Sequence, residues 1–508
     1  MTTTSTKRLP AGWATATLPE LIAPDGLLTD GDWVETKDQD PGGAVRLTQL
    51  ADVGDGVFRD RSHRFLTGER ADELNCTYLV AGDVLIARMP DPLGRACLFP
   101  GSSRQCVTVV DVCIARPGGD TVEPKWMMHF INAPASRLAI EALQKGSTRK
   151  RISKANLCTI PIPVPPRREQ SRIAAAIDSH TSRLDETVAL LERVQRNLNR
   201  YRASVLKAAV EGRLVPTEAE LARAEKRGYE TACARVSATV APPRPARWKT
   251  RTKDVVVGHG ALSVGDPHAA LPEGWTRSPL VDVARMESGH TPSRARPEWW
   301  GGEVPWIGIA DARENDGKVI CKTLQHTNAG GLANSAARLL PAGTVCVSRT
   351  ASVGYVVVMG HDMATSQDFV NWIPTAAVTS DWLRVVFSAD REALRRFGKG
   401  TVHKTIYFPE WLSVHVAIPP MQEQLRIVAE VDKLLSDAET IGATVAISIE
   451  RCSRLRHSIL KWAFEGKLVD QDPNDEPADA LLARIRAAQL PDAPVPAQSA
   501  PRRRKRKA

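Results

Sequence analysis

The feature that most constrains this chain is a repeat. SVLKAAVEGRLV (Ser204–Val215) returns as SILKWAFEGKLV (Ser458–Val469), 254 positions on, with eight of twelve residues identical. The same shift lays VPPRREQSRI (Val164–Ile173) on IPPMQEQLRI (Ile418–Ile427), and carries Gly146, Lys150 and Ile152 onto Gly400, Lys404 and Ile406. From Pro165 to Val215 the alignment needs no gap. Upstream the offset drifts, as insertions make it, but the order holds. LPAGW (Leu9–Trp13) matches LPEGW (Leu271–Trp275), GGAVRLTQLAD (Gly42–Asp52) matches GGEVPWIGIAD (Gly301–Asp311), and AGDVLIAR (Ala81–Arg88) matches AGTVCVSR (Ala342–Arg349). Five ordered blocks make the chain a tandem duplication of one unit, a globular head followed by a tail.

Each tail reads as one long helix. Apolar residues recur every seven positions, and two such rows make a heptad seam. In the first tail the bulky row is Ile177, Leu184, Leu191, Leu198 and Val205; the smaller, more polar one runs from Ile173 through His180 and Thr187. In the second tail the bulky row is Ile427, Leu434, Ile441, Leu455 and Trp462, and the smaller one runs through Val431, Ala438 and Val445. Matching bulk to bulk predicts intramolecular antiparallel pairing through the two bulky rows; packing on the chain's own head, or on another chain, is the alternative. Pro-Pro pairs precede both helices, Gly212 and Gly466 stand where a C-terminal cap belongs, and Gly442 implies a close approach or a bend.

The heads mix strand words (DVLIAR, TVCVSR) with helix-spaced ones (KWMMHFINAPASRLAIEAL, DWLRVVFSADREALRRF). The expected fold is α+β: two tandem mixed α/β heads, each followed by a long helix, the helices pairing as an antiparallel coiled coil. The expected boundaries are a first head over 1–163, its spacer helix over 164–215, and a junction with a basic Pro-rich linker over 216–270. A second head follows over 271–418, then its helix over 419–469, then a C-terminal helix and basic tail over 470–508.

Chemistry is notable for what is missing. No phosphate-binding loop, HExxH pair, [ND]PP[YF] segment or GxSxG elbow occurs, and no catalytic or metal-ligating set repeats between the halves. The nine scattered cysteines never form CxxC, which suits reduced thiols. No apolar run reaches the ~18 residues of a membrane span, and the start of the chain has no secretory pattern, so a cytoplasmic protein is expected. A net charge of +10 suits either a nucleic-acid partner or a basic solvated surface. The duplicated positions are Gly, Pro, apolar and Arg/Lys, which points to two binding heads on a spacer. A stand-alone DNA-modifying enzyme with unfamiliar motifs, or a scaffold without DNA, are the competing classes.

The words SGHTPSRARPEWWGGEVPWIGIAD, GTVCVSRTASVGY, SQDFVNW, PIPVPPxxEQxRI and LKxAxEGxLV, in the setting of the ordered duplication, resemble the DNA-specificity subunit of type I restriction–modification systems. The resemblance implies two target-recognition domains reading a split site in double-stranded DNA. It implies helical regions serving as ruler and as docking surface for two methyltransferase subunits, with restriction/translocase subunits outside. It also implies no cofactor in this chain, S-adenosylmethionine, ATP and magnesium belonging to those partners. The family's SGGTPS stands here as SGHTPS, His290 replacing a glycine, and the first half has DGLLTDGDW in place of that block.

Candidate DNA contacts follow from residue type and placement. Gly146, Ser147, Thr148, Arg149, Lys150 and Arg151 form a polar, basic loop before the first helix, and Gly400, Thr401, His403 and Lys404 its copy; such groups suit phosphate oxygens. Arg88 and Arg349 end matching strands, placed either to reach DNA or to close a buried salt bridge. His290, Thr291, Ser293, Arg294 and Arg296 make a further polar loop, whereas Trp299, Trp300 and Trp306 read as core.

Overall fold

The computed structural model describes residues 9–146, 150–243, 269–350, 352–396, 398 and 404–489. Two compact units emerge, one of residues 1–191 with 447–508, the other of residues 192–446. Each unit holds one head, the first part of its own long helix and the last part of the other helix.

In the first unit, β2 (Leu27–Asp30), β8 (Val112–Arg116), β5 (Val84–Ala87) and β6 (Ala96–Leu98) form one sheet in that order. A second sheet has β3 (Val45–Thr48) between β4 (Phe65–Leu66) and β7 (Cys106–Thr108), and β1 (Ala14–Ala16) pairs with β9 (Ile162–Val164). Strand β5 is buried at all four positions because alternate residues serve different cores. Val84 and Ile86 pack with Trp126 and Met127 of α1 (Pro124–Asn132), while Leu85 and Ala87 pack with Phe99 and Ile114 on the other face. Pro134, which cannot continue the hydrogen-bond ladder, ends α1 and opens α2 (Pro134–Ala142).

The second unit repeats this frame. Its main sheet orders β11 (Ala284–Ser288), β18 (Phe369–Pro374), β15 (Val345–Ser348) and β16 (Val356–Met359), with an added edge strand β13 (Lys318–Ile320). The small sheet centres β12 (Trp300–Ile307) between β14 (Gln325–Thr327) and β17 (Ala364–Thr365); β10 (Thr276–Pro279) pairs with β19 (His415–Ile418). The core is built on Trp372, Trp382, Phe387 and Trp411, with α6 (Ser380–Ala389) on the sheet.

The long helices are α3 (Arg167–Val210) and α7 (Met421–Phe464), 44 residues each. Within the first unit Ile173 and Ile177 share a core with Ile459 and Ala463; within the second, Val205 and Ala209 share one with Ile427 and Val431. The start of one helix thus meets the end of the other in both units, and the helices run antiparallel. The seam differs from the expected one. In α7, Ile427 and Leu434 of the expected row do pack in the core of the second unit, but along the helix the buried row is Val431, Ala438, Val445 and Ile459, whereas Ile441, Leu455 and Trp462 are 49, 47 and 45% exposed. His180 and Thr187 lie outside as well. Shifted by 254, the buried row of α7 falls on Ile177, Leu184, Leu191 and Val205, the expected row of α3. Duplicated helices bury duplicated positions; matching by bulk misplaces the second seam, because the small Ala438 is buried on it while the larger Ile441 is not. The close approach expected at Gly442 is not found: a Cβ there would stand 3.6 Å from the Arg202 guanidinium, an ordinary contact.

The duplicated words hold each head to the helices. Trp13 Nε1 donates to both oxygens of Glu169 at 3.1 Å, and Trp275 Nε1 to Glu423 at 2.8 Å. The Gln170 side chain accepts from the amide of Glu123, and that of Gln424 from the amide of Thr379. Asp178 binds Lys125 and His129; its equivalent Asp432 binds Arg384. The twelve-residue word then docks on the head at the far end of the helix. Gly466 lies against Pro10, and Gly212 against Pro272 and Trp275, both in the left-handed region at φ +66° and +67°. Behind them α8 (Ala478–Gln489) donates its Ala478 amide to Gly12 O at 2.8 Å, as Ala232 of α5 (Ala232–Ala238) donates to Gly274 O at 2.9 Å. A further short helix, α4 (Glu218–Glu225), supplies Glu218 to Arg426, as Asp475 is supplied to Arg172.

Candidate nucleic-acid interface

In the second unit, the SGHTPSRAR block, the TSQ segment at 365–367 and the duplicated GGEVPWIGIAD word meet at one rim of the small sheet. Gly289 passes so close to the chain at 365–366 that a Cβ would lie 2.0 Å from Ser366 O, so that glycine, rather than position 290, is sterically required. His290 follows with φ outside the left-handed region; its amide donates to Thr365 O at 2.9 Å and its carbonyl accepts from Trp306 Nε1 at 3.1 Å. Thr291 Oγ1 donates to Gln367. Arg294 is exposed, sits 4.8 Å over the Trp300 ring and 5.5 Å over Trp306, and donates to Gln325 Oε1 at 2.9 Å. Trp306 is buried while Trp299 and Trp300 are half-buried, so two of the three indoles stay at the rim. Ser293 is exposed and gives its carbonyl to Trp300 Nε1; Arg296 pairs with Glu298 at 3.6 Å.

The first unit has the same rim with different residues. The DGLLTDGDW stretch occupies the place of the SGHTPS block: a Cβ on Gly31 would lie 2.3 Å from Val109 O, and the Asp32 amide donates to Thr108 O at 2.7 Å. A cleft of about 660 Å³ opens here, lined by Asp32, Trp33, Glu35, Gln39, Arg64 and Asp111 among others. Trp33 is 70% exposed. Burial pushes the Asp32 carboxyl up, against the hydrogen bond from the Thr77 amide. Arg64 donates to Gln39 Oε1 at 3.3 Å, and Arg59, Arg61, His63 and Arg64 are all exposed on the hairpin before β4. The sequence signal for that hairpin is its basic run, FRDRSHR (Phe58–Arg64), which has no copy in the second head.

Asp52 and Asp311, the last residues of a duplicated word, fix these hairpins from below. Asp52 accepts from the amides of Gln49, Arg61 and Ser62, and Asp311 from those of Gly308 and Leu324. Burial pushes the Asp52 carboxyl up, but those amide bonds outweigh it and hold it below the usual range.

Arg88 does not face outward. It is 3% exposed, its guanidinium bonding Val110 O and Ile152 O and lying 3.3 Å from Asp30. Arg349 is half-buried, stacks on Phe408 at 4.5 Å and reaches Gln367 O and Ile406 O. Both arginines therefore pin the chain where it leaves the basic loop, since Ile152 and Ile406 also donate their amides to Arg88 O and Arg349 O. Within those loops Gly146, Lys150, Arg151 and Lys404 are exposed; Ser147, Thr148, Arg149, Gly400, Thr401 and His403 lie outside the described residues. Among the described residues no group of His, Cys, Asp and Glu is placed to hold a metal ion, and no helix is long and apolar enough to cross a membrane.

The model of the type I restriction modification DNA specificity domain matches residues 67–196 and 272–451. The chain belongs to that family. Among curated relatives, the type I restriction enzyme MjaIX specificity subunit of Methanocaldococcus jannaschii is 26% identical over 183 residues, covering 36% of this chain and 40% of that subunit. The EcoKI specificity subunit of Escherichia coli is 25% identical over 375 residues, 71% of each chain. The chain thus spans less than half of the first relative and about seven-tenths of the second. In fold it is similar to a chain solved in a study of complex assembly in the type I R-M system (TM-score 0.66, 18% identity, 91% of this chain and 99% of that one). It is also similar to the HsdS subunit of Thermoanaerobacter tengcongensis (TM-score 0.53, 19% identity, again 91% and 99%). Apart from the added edge strand β13, the two rims are where the described frames differ most in residue type.

Proposed function

We propose that this chain is the DNA-reading, non-catalytic subunit of a type I restriction–modification complex, each head reading one half of a split duplex site. The observation that carries the reading is a frame repeated with a divergent rim. Strand order, helix anchors and the two hairpin aspartates recur, whereas Asp32, Trp33 and Glu35 stand in one head where His290, Thr291 and Ser293 stand in the other. A duplicated enzyme repeats its catalytic residues or a degenerate copy of them; two readers of different sequences keep the frame and change the rim.

Partners dock on the apolar side chains that the seam leaves outside: Tyr201 and Ile441 in one unit, Leu190, Leu455 and Trp462 in the other. Exposed apolar patches of this kind mark protein interaction sites. Methyltransferase subunits bring the S-adenosylmethionine site, and restriction/translocase subunits bring ATP and magnesium; the complex works on DNA in the cytoplasm. The spacer helices set the distance between half-sites, since 44 continuous residues make a stiff element of about 66 Å. One added base pair moves a half-site about 3.4 Å and turns it by about 35°. Binding of the assembled complex to duplexes differing only in spacer length tests this. Affinity drops with one pair added; equal affinity over several spacer lengths overturns it. Turnover of labelled methyl donor or ATP by the chain freed of partners overturns the non-catalytic assignment.

A further inference from the structure

The two rims share a device in exchanged form. Strand register makes Arg64 and Gln325 equivalent: Trp306 lies between Ala364 and Gln325, while Leu47 lies opposite Val107 and donates its amide to Arg64 O. Gln39 and Arg294 both sit on the loop that follows the crowded glycine, Gly31 or Gly289. In the second head the loop supplies the arginine and the hairpin the glutamine; in the first the hairpin supplies the arginine and the loop the glutamine. Either way an exposed guanidinium is tied to a glutamine carbonyl, at 2.9 Å in one head and 3.3 Å in the other.

We infer that each pair, Arg294–Gln325 and Arg64–Gln39, is the guanine-reading element of its head. The inference rests on the two-head DNA reading above. The guanidinium fork matches guanine O6 and N7, and the glutamine restrains it before DNA arrives. In the second head the Trp300 and Trp306 rings support the fork from beneath. In the first head Asp32, Glu35 and Asp111 line the same cleft. Carboxylates there repel phosphate, so Arg64 is aimed at base edges and the backbone is left to Lys150 and its loop.

The test is mapping of methylated motifs in cells carrying the whole system, with wild type, Arg64→Ala, Arg64→Lys, Arg294→Ala and Arg294→Lys. Each wild-type half-site contains a G·C pair. Each Arg294 variant relaxes that pair in one half-site only, and each Arg64 variant in the other, with discrimination falling roughly 10- to 100-fold. Lysine behaves as alanine here because it keeps the charge and loses the fork. Unchanged motifs, or a lysine variant that keeps full specificity, overturn the inference and mark both arginines as backbone contacts. Should an arginine variant fail to accumulate, Gln39→Ala and Gln325→Ala carry the same expectation, and unchanged motifs there overturn it. An unsplit wild-type motif sinks the two-head reading itself, whatever the variants do.

Discussion

Trp275 and Glu423 join the second head to its helix through one hydrogen bond of 2.8 Å, and the other oxygen of Glu423 accepts from the Glu218 amide at 2.8 Å. Both carboxylate oxygens are therefore committed. Glu169 in the first unit answers to Trp13 alone among these partners. Burial, opposed by these hydrogen bonds, pushes both carboxyls up.

Glu423→Gln places an amide NH₂ against the Glu218 N–H or the Trp275 N–H, leaving two donors facing each other. It costs about 1–3 kcal/mol. Glu169→Gln keeps one acceptor for Trp13 and costs less. Chemical denaturation of the two variants checks this, and equal losses count against it.

Asp178 has the opposite sign. Its hydrogen bond to His129, with a further one to Lys125, holds its carboxyl below the usual range despite partial burial. A depressed folded pKa contributes stability above the unfolded value and loses it as pH falls through the folded one. The stability gap between wild type and Asp178→Asn therefore closes as pH falls below ~4. Unfolding measured from pH ~5 to ~3 shows it; a gap that widens over that range refutes it.

The glycines divide into two kinds. Gly442→Ala meets only ordinary contact distances inside a helix and stabilises by about 0.5–1 kcal/mol. Gly466→Ala puts a Cβ 2.4 Å from Pro10 at φ +66° and destabilises by about 1–3 kcal/mol. Melting temperatures should move in opposite directions.

Val445→Asp buries an unpaired charge in the helix seam and unfolds the pairing, as does Leu191→Asp, which lies on the equivalent row. Ile441→Asp, on the exposed row, leaves melting nearly unchanged and weakens co-purification with the methyltransferase subunit. Collapse of Ile441→Asp at the melting stage would restore the seam drawn from side-chain bulk.

Replacing Lys150 and Lys404 by Ala flattens the slope of log K against log salt by up to about two units, without altering the motif. An unchanged slope removes both loops from the DNA backbone.

What could be read from the residues was whatever the duplication displays. Strands β5 and β15, the capping glycines and the two long helices all follow from words that occur twice, whereas the antiparallel pairing follows from the heptad rows. The errors arise where duplication was set aside or diluted. The α7 seam was placed by side-chain size, although Val431 falls on Ile177 under the same shift that found the repeat. The DGDW stretch reads as a missing block because its match to SGHTPS rests on one shared glycine, Gly31 for Gly289, whose backbone crowding a lone identity does not reveal. Arg88 was ambiguous since a strand-end arginine serves equally well inside or out until its carbonyl partners are known. Gln39 and Gln325 gave no signal: neutral, single and far apart in the chain, they acquire meaning only from register.

The docking of Gly466 on Pro10 also sets an order of events on the ribosome. The first head buries Ile459, Ala463 and Leu482 in its own core, so its earliest residues wait for partners made more than 440 positions later, roughly 20–90 s at bacterial elongation speeds of about 5–20 residues per second. The second head is assembled from residues 192–446 without interruption. A nascent chain stalled so that residue 446 has just emerged should resist protease across the second head while the first is still cut. The half translated first is the half completed last.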